Sequence, residues 1–129
     1  MSDPSNPKAW VDRAEEDYLM ARSAVKRKRP LAYSACFHAQ QCAEKYLKAL
    51  LVSKGAVFPK THDLLVLRDL VEKAGIKVPF EARQLQILSD YAVWTRYPGE
   101  DPTDDDALES LEIAKQVRRF ARRFLVSRA

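Results

Sequence analysis

The stretch CFHAQQCAEKYLKALL, residues 36–51, decides the fold. At 100° per residue, Ala32, Ala35, Cys36, Ala39, Cys42, Ala43, Tyr46 and Leu50 share one face of a helix. The first half of that face is small and the second half large, so a neighbouring helix can come close. Tyr33, Phe37, Leu47 and Leu51 widen the apolar surface around one flank, which predicts a central helix touched on more than one side. Ser34, His38, Gln41, Lys45 and Lys48 lie roughly opposite, with Gln40 and Glu44 on the other flank. Spacing alone reads these polar residues as a solvated stripe. It leaves open a second reading, in which His38 and Gln41 donate to a phosphate-bearing ligand or partner chain while Lys45 and Lys48 supply charge.

Outward from this helix, breaks fall at KRKRP (26–30), SKGAVFPK (53–60), AGIKVP (74–79) and RYPGEDPT (96–103). Five helices fit between them. In the first, Asn6 is a good cap and Pro7 suits the opening turn, followed by Trp10, Ala14, Tyr18, Ala21 and Val25 at spacings of three and four. Thr61 is expected to cap a helix from His62 to Ala74 that stops at Gly75. A fourth helix is expected from about Phe80 to Trp94, carrying Leu85, Leu88 and Ala92. The fifth runs from about Asp104 to Val126, with Ile113, Ala114, Val117, Phe120, Ala121 and Phe124 on one side. Its acidic start, Asp104 to Asp106, and its basic later turns complement the helix dipole.

With 129 residues, the chain has the length of one domain. Hydrophobic residues make up 47% and charged residues 31%, and only three glycines punctuate it, which favours helices over hairpins. No apolar run is long enough to span a bilayer. The opening MSDPSNPKAW lacks a basic region followed by an apolar stretch, so a cytoplasmic location is expected. Cys36 and Cys42 stand too far apart along one helix for a disulfide and read as small buried residues. A formal charge of +4 permits a polyanionic partner without requiring one. No metal or cofactor is expected: the two histidines and two cysteines lack metal-ligand spacing, and no glycine-rich phosphate loop occurs.

The order of AEEDYLMAR, CFHAQQCAEKYLKALL, FPKTHDL and YAVWTRYPGE resembles the HEPN family, helical domains of bacteria and archaea often encoded beside a minimal nucleotidyltransferase. The likeness covers nearly the whole chain. Its most specific elements are Gln41, Glu44, Lys45 and Lys48, then Thr61-His62-Asp63-Leu64, then Arg96-Tyr97-Pro98. The resemblance implies an all-α, antiparallel up-and-down bundle of about five helices, a single domain over 1–129, usually homodimeric and tied to nucleotide or RNA chemistry. It makes Gln41, Lys45, Lys48, His62, Arg96 and Tyr97 the candidate ligand-binding residues, and a minimal nucleotidyltransferase the candidate partner.

The chain departs from the family pattern at one point. HEPN members that cut RNA carry an arginine followed, after four to six residues, by a histidine, and that motif is absent here. The arginine nearest before His38 is Arg29, with eight residues between. The reading is therefore an interaction module without catalysis of its own. Its alternatives are an RNA-cleaving toxin using His38 or His62 with Arg96, and a purely structural scaffold. Tyr91, Trp94, Arg96 and Tyr97 surround a guanidinium with aromatic rings able to stack on a base or to anchor a loop. Free backbone N–H groups beside an exposed His62 would accept an anion. The run Lys26 to Arg29 and the stripe Lys115, Arg118, Arg119 and Arg122 read as solvated faces or, together, as an RNA footprint.

Overall fold

In the computed structural model, which describes residues 3–94, 99 and 101–126, the chain forms five α-helices. They are α1 (Pro7–Lys26), α2 (Ala32–Ser53), α3 (Leu64–Lys73), α4 (Ala82–Trp94) and α5 (Asp104–Val126). Among the described residues there is no strand, and no helix is long and apolar enough to cross a membrane.

Local chemistry sets most of the boundaries. The Asn6 side chain accepts from the Lys8 N–H at 3.0 Å, and Pro7 occupies the first turn, where its missing N–H costs nothing. At the start of α5, Thr103 and Asp106 cap each other: each backbone N–H donates to the other side chain, at 2.8 and 3.1 Å. Gly55, at φ 65°, takes the left-handed turn that ends α2. The start of α3 differs from the expectation. Asp63, not Thr61, is the cap, accepting from Leu65 N–H at 2.9 Å, while the Thr61 hydroxyl accepts from Asp63 N–H at 3.1 Å. Thr61 thus closes a turn ahead of the helix, and the helix begins two residues later than its hydroxyl alone predicts.

α2 is the central element, packed against each of the other four. Ala35, Cys36, Ala39, Cys42 and Ala43 are all fully buried, as are Tyr46, Leu47, Leu50 and Leu51. α1 runs antiparallel to it: Leu31 N–H donates to Ala24 C=O at one end, and Lys48 lies over the Trp10 ring at the other. α5 runs in the same direction as α2, since Ser110 meets Cys36 early and Arg118, further on, meets the Glu15 carboxylate that also binds Tyr46. Small residues line both helices where they meet, Ala107, Ser110 and Ala114 on α5 facing Cys36 and its neighbours, which lets the axes approach. α4 returns antiparallel to α5, pairing Gln84 with Gln116 and Tyr91 with Glu109. Each large aliphatic side chain closed off in this core contributes on the order of 1.5–3 kcal/mol.

Candidate functional site

The polar residues of α2 are not a solvated stripe. Lys48, Glu44 and Gln40 are buried, at 7%, 3% and 6% exposure, and α1 and the α3 approach cover what a single helix projection leaves open. Asp17 of α1, also buried, binds both His38 and Lys45: His38 Nδ1 lies 2.9 Å from one carboxylate oxygen and the Lys45 ammonium contacts the other. One turn further along α2, the Lys48 ammonium sits 3.1 Å from Glu44, and His62 Nδ1 is 3.1 Å from both Glu44 oxygens. Gln40 donates to the His62 carbonyl at 3.2 Å, and Gln41 donates to Gln40 at 2.8 Å. Asp17, His38 and Lys45 form one knot of this seam. Glu44, Lys48, His62 and the two glutamines form the other.

A buried carboxylate is costly unless charged and hydrogen-bonding partners surround it, and each knot meets that condition with a lysine and an imidazole. The seam leaves functional capacity at its rim. Both histidines turn Nδ1 to a carboxylate, which directs Nε2 away from that oxygen. His38 and Lys45 line an open cavity of about 710 Å³, together with Arg13, Glu16 and Asp17 of α1. A smaller cavity of about 290 Å³ shares Arg13 and Lys45 and is lined also by Pro4, Ala9 and Trp10. Trp10 is fixed by donating to the Pro4 carbonyl at 2.8 Å, by the edge of Phe58 at 6.1 Å and by Lys48 at 5.6 Å from its ring centre.

Of the residues named from sequence, His38, Gln41, Lys45, Lys48 and His62 are thus brought into one seam, whereas Arg96 and Tyr97 lie outside the described residues. Lys45 and Lys48 each have a carboxylate partner inside the chain. His62 is 82% exposed, and Asp63 already occupies the amides at the α3 start that were expected to receive an anion. Tyr91 donates to Glu109 at 2.6 Å, a bond that raises the Tyr91 pKa together with burial and the nearby Asp106 carboxylate. The basic stripe of α5 is half turned inward. Arg118 grips Glu15 with two bonds of 2.6 and 2.8 Å and stacks over Tyr18, and Arg122 lies 3.3 Å from the same carboxylate. Burial raises the Glu15 pKa, but Arg118 and the Tyr46 hydroxyl outweigh it and hold the carboxyl below its ordinary value. Among the described residues, no group of three or more His, Cys, Asp or Glu side chains is placed to hold a metal ion.

Sequence reasoning missed Asp17, Glu15 and Arg13. A signal existed for Asp17: it falls in the buried α1 series Ala14, Asp17, Ala21 and Ala24, and an acidic residue inside an apolar stripe requires a partner from another element.

A five-helix bundle built around such a seam defines a class, and the comparisons assign it. The HEPN domain model matches residues 7–124, and the chain belongs to the HEPN domain family. It is 28% identical over 134 residues to a protein of Methanocaldococcus jannaschii named "Putative toxin MJ1304", an alignment covering 92% of this chain and 87% of that one. Among solved structures it is similar to TT1696 from Thermus thermophilus, with a TM-score of 0.70 and 27% identity over 91% of this chain and 96% of the other. It is also similar to ST0689, an archaeal HEPN homologue, with a TM-score of 0.65 and 25% identity over 91% and 95%.

Proposed function

We propose that this HEPN domain is an interaction module, acting as one domain over residues 1–129, that associates with nucleotides and serves as the non-catalytic partner of a minimal nucleotidyltransferase in a toxin–antitoxin-like pair. The observation that carries the reading is that Lys45 and Lys48, the cations in the motif shared with the family, are paired with Asp17 and Glu44. Cleavage by internal transesterification needs a base for the 2′-hydroxyl proton and a cation on the phosphate, both close to one phosphodiester. Cations already bound to carboxylates are poor candidates for the second task. Exposed apolar residues support association: Leu19 and Met20 on α1 and Leu31, Tyr33 and Phe37 at the start of α2 are 41–58% exposed. A homodimer in the cytoplasm is part of the proposal.

A second reading is an RNA-cleaving toxin. It is favoured by the name of the M. jannaschii relative and by Arg13 and His38 lining one cavity, an arginine and a histidine brought together by the fold rather than by spacing. One experiment separates the two. The chain is co-expressed with the minimal nucleotidyltransferase of its own genome and purified, and the free chain is incubated with labelled total RNA without metal, beside His38→Ala, His62→Ala and Arg96→Ala. The expected outcome is a stable complex and intact RNA. Cutting that one substitution abolishes without lowering the melting temperature would replace the module with the toxin.

A further inference from the structure

On α5, Lys115, Arg119 and Arg123 follow one another at intervals of four residues, so three like charges share one ridge of the helix and repel. The helix dipole accounts for Arg123, which stands in the last turn, but not for Arg119 a full turn earlier. Both arginines are exposed, and among the described residues neither has a hydrogen-bond or ion-pair partner. That sets them apart from Arg118 and Arg122, which are turned to Glu15 on α1. Arg119 and Arg123 line a cavity of about 220 Å³ together with Pro79, Phe80, Gln116 and Phe120, and no carboxylate is in its lining.

The apolar wall of this cavity is held in place. Phe80 is buried, its carbonyl accepts from Arg68 Nε at 3.2 Å, and the Val78 N–H donates to Glu72 at 3.4 Å, so the segment between α3 and α4 is tied to α3. The Phe120 ring meets Phe80 edge to face at 5.9 Å and stacks on Phe124 at 6.1 Å. Gln116 uses its side-chain oxygen to accept from Gln84 at 3.0 Å, which leaves its amide N–H donors without an acceptor among the described residues. An apolar seat, an unpaired amide and two unpaired guanidinium groups one turn apart thus border one small space. The fork of a guanidinium matches a carboxylate, which accepts two bonds side by side. At about 220 Å³ the space lies below the roughly 300–1,000 Å³ of sites for drug-sized molecules, and it suits one side chain with a carboxylate beside it. Arg119 and Phe120 are consecutive, so the charge and the apolar seat are neighbours. In a polypeptide, an apolar side chain and a carboxylate belong to the same residue only at the end of the chain.

We propose that this cavity docks the C-terminal residue of a partner polypeptide, its apolar side chain against Pro79, Phe80 and Phe120 and its terminal carboxylate between Arg119 and Arg123. The Gln116 amide is the donor for a backbone carbonyl of the incoming chain. Bound there, the carboxylate relieves the repulsion along the Lys115, Arg119 and Arg123 ridge. The site shares no residue with the Asp17 and Glu44 knots, so it stands or falls independently of the nucleotide and nucleotidyltransferase readings.

The test reads fluorescence anisotropy with the full chain and fluorescein-labelled hexapeptides of glycine and serine that end in leucine or in phenylalanine. Saturable binding of at least one free-acid peptide is expected, with affinity falling about tenfold or more when the same peptide ends in an amide. Arg119→Gln and Arg123→Gln, both at exposed positions, are each expected to weaken binding about fivefold or more at an unchanged melting temperature. Lys73→Gln removes an exposed cation from α3 and is expected to bind as its parent does, which separates a site from general positive charge. The proposal is overturned if no free-acid peptide binds saturably, if amides bind as well as acids, or if Lys73→Gln loses as much as the two α5 variants. Three unlabelled competitors then test the occupant, and each is expected to compete about tenfold less well than the free-acid peptide. An amidated hexapeptide with an internal glutamate beside leucine that competes equally well assigns the site to acidic side chains. N-acetylleucine doing so assigns it to a small carboxylate, and a short single-stranded RNA doing so returns the two arginines to a nucleic-acid footprint. Any of these three results overturns docking of a chain end.

Discussion

Two ionic seams cross α2, and they are built differently. On the α5 side, Glu15 is held by a two-bond Arg118 fork, by Arg122 and by the Tyr46 hydroxyl, and Tyr46 itself is fully buried. Along α1 and the segment before α3, Asp17 and Glu44 are buried too, but their imidazole partners stand at the rim, His62 in solvent and His38 in the wall of a cavity. The first seam is closed, because every strong group on it has its partner within the protein. The second is closed on its carboxylates and open on its bases. A closed network fixes the relative position of α1, α2 and α5, whereas a network with free donors at its edge retains the means to meet a ligand.

Removing a buried partner should break the second seam most severely. Glu44→Ala leaves the Lys48 ammonium, with a side chain only 8% exposed, without its carboxylate. An uncompensated buried charge costs about 3–5 kcal/mol, the largest loss expected from either seam. A urea melt measures it. The double variant Glu44→Ala, Lys48→Met should recover most of the loss, since no charge is then stranded. Equal stabilities for single and double variants would mean that Lys48 escapes to water and that the inner knot is looser than its burial indicates.

The closed seam should respond less, and its response should depend on acidity. Glu15→Gln keeps the side-chain shape but loses the charge that the two arginines hold, a change of about 1–2 kcal/mol at neutral pH for this partly exposed group. The folded Glu15 pKa lies below the ordinary glutamate value of 4.5. Its charge therefore stabilises the fold above that pH, and the contribution disappears as the pH falls through the lower folded value. Chemical melts at neutral and at acidic pH should show the gap between wild type and Glu15→Gln closing as acid is added. A gap independent of pH would reassign the effect to shape.

The two seams also differ in how much of them could be read from sequence. The helices follow from the spacing of Ala14, Tyr18 and Ala21 in α1 and of Ala39, Cys42, Ala43 and Tyr46 in α2, since a 3.6-residue repeat needs no knowledge of the neighbours. The ends of α1 and α5 were legible because Asn6-Pro7 and the acidic start at Asp104 act within one turn. The start of α3 was not, because Thr61 and Asp63 are both good caps two residues apart and only one opens the helix. A single-helix projection put His38, Gln41, Lys45 and Lys48 together, whereas the fold divides them between Asp17 and Glu44, and the projection gave no account of what covers them. That depends on Asp17 and Trp10 of α1 and His62 before α3, side chains 21, 38 and 18 residues from their respective partners His38, Lys48 and Glu44. Glu15 likewise meets Arg118 across 103 residues, a pairing without local sequence signal.

The smallest expected effect tests whether the rim of the second seam is dispensable to the fold. His62 reaches Glu44 with both oxygens at 3.1 Å, yet its side chain is 82% exposed, and water competes for every contact it makes. Glu44 keeps Lys48 without it, and the Gln40 bond goes to the His62 backbone carbonyl, which survives substitution. His62→Ala should thus cost less than about 0.5–1 kcal/mol, the range of exposed ion pairs. That is several times less than Glu44→Ala, although the two residues touch. Urea melts of the two variants and of their double combination make the comparison, because the coupling energy isolates the pair from the rest of the knot. A small coupling keeps the picture of a buried carboxylate–lysine core with an imidazole free at its edge. A loss from His62→Ala approaching that of Glu44→Ala would show the imidazole to be part of the structural core, and the contrast between a closed and an open seam would fall with it.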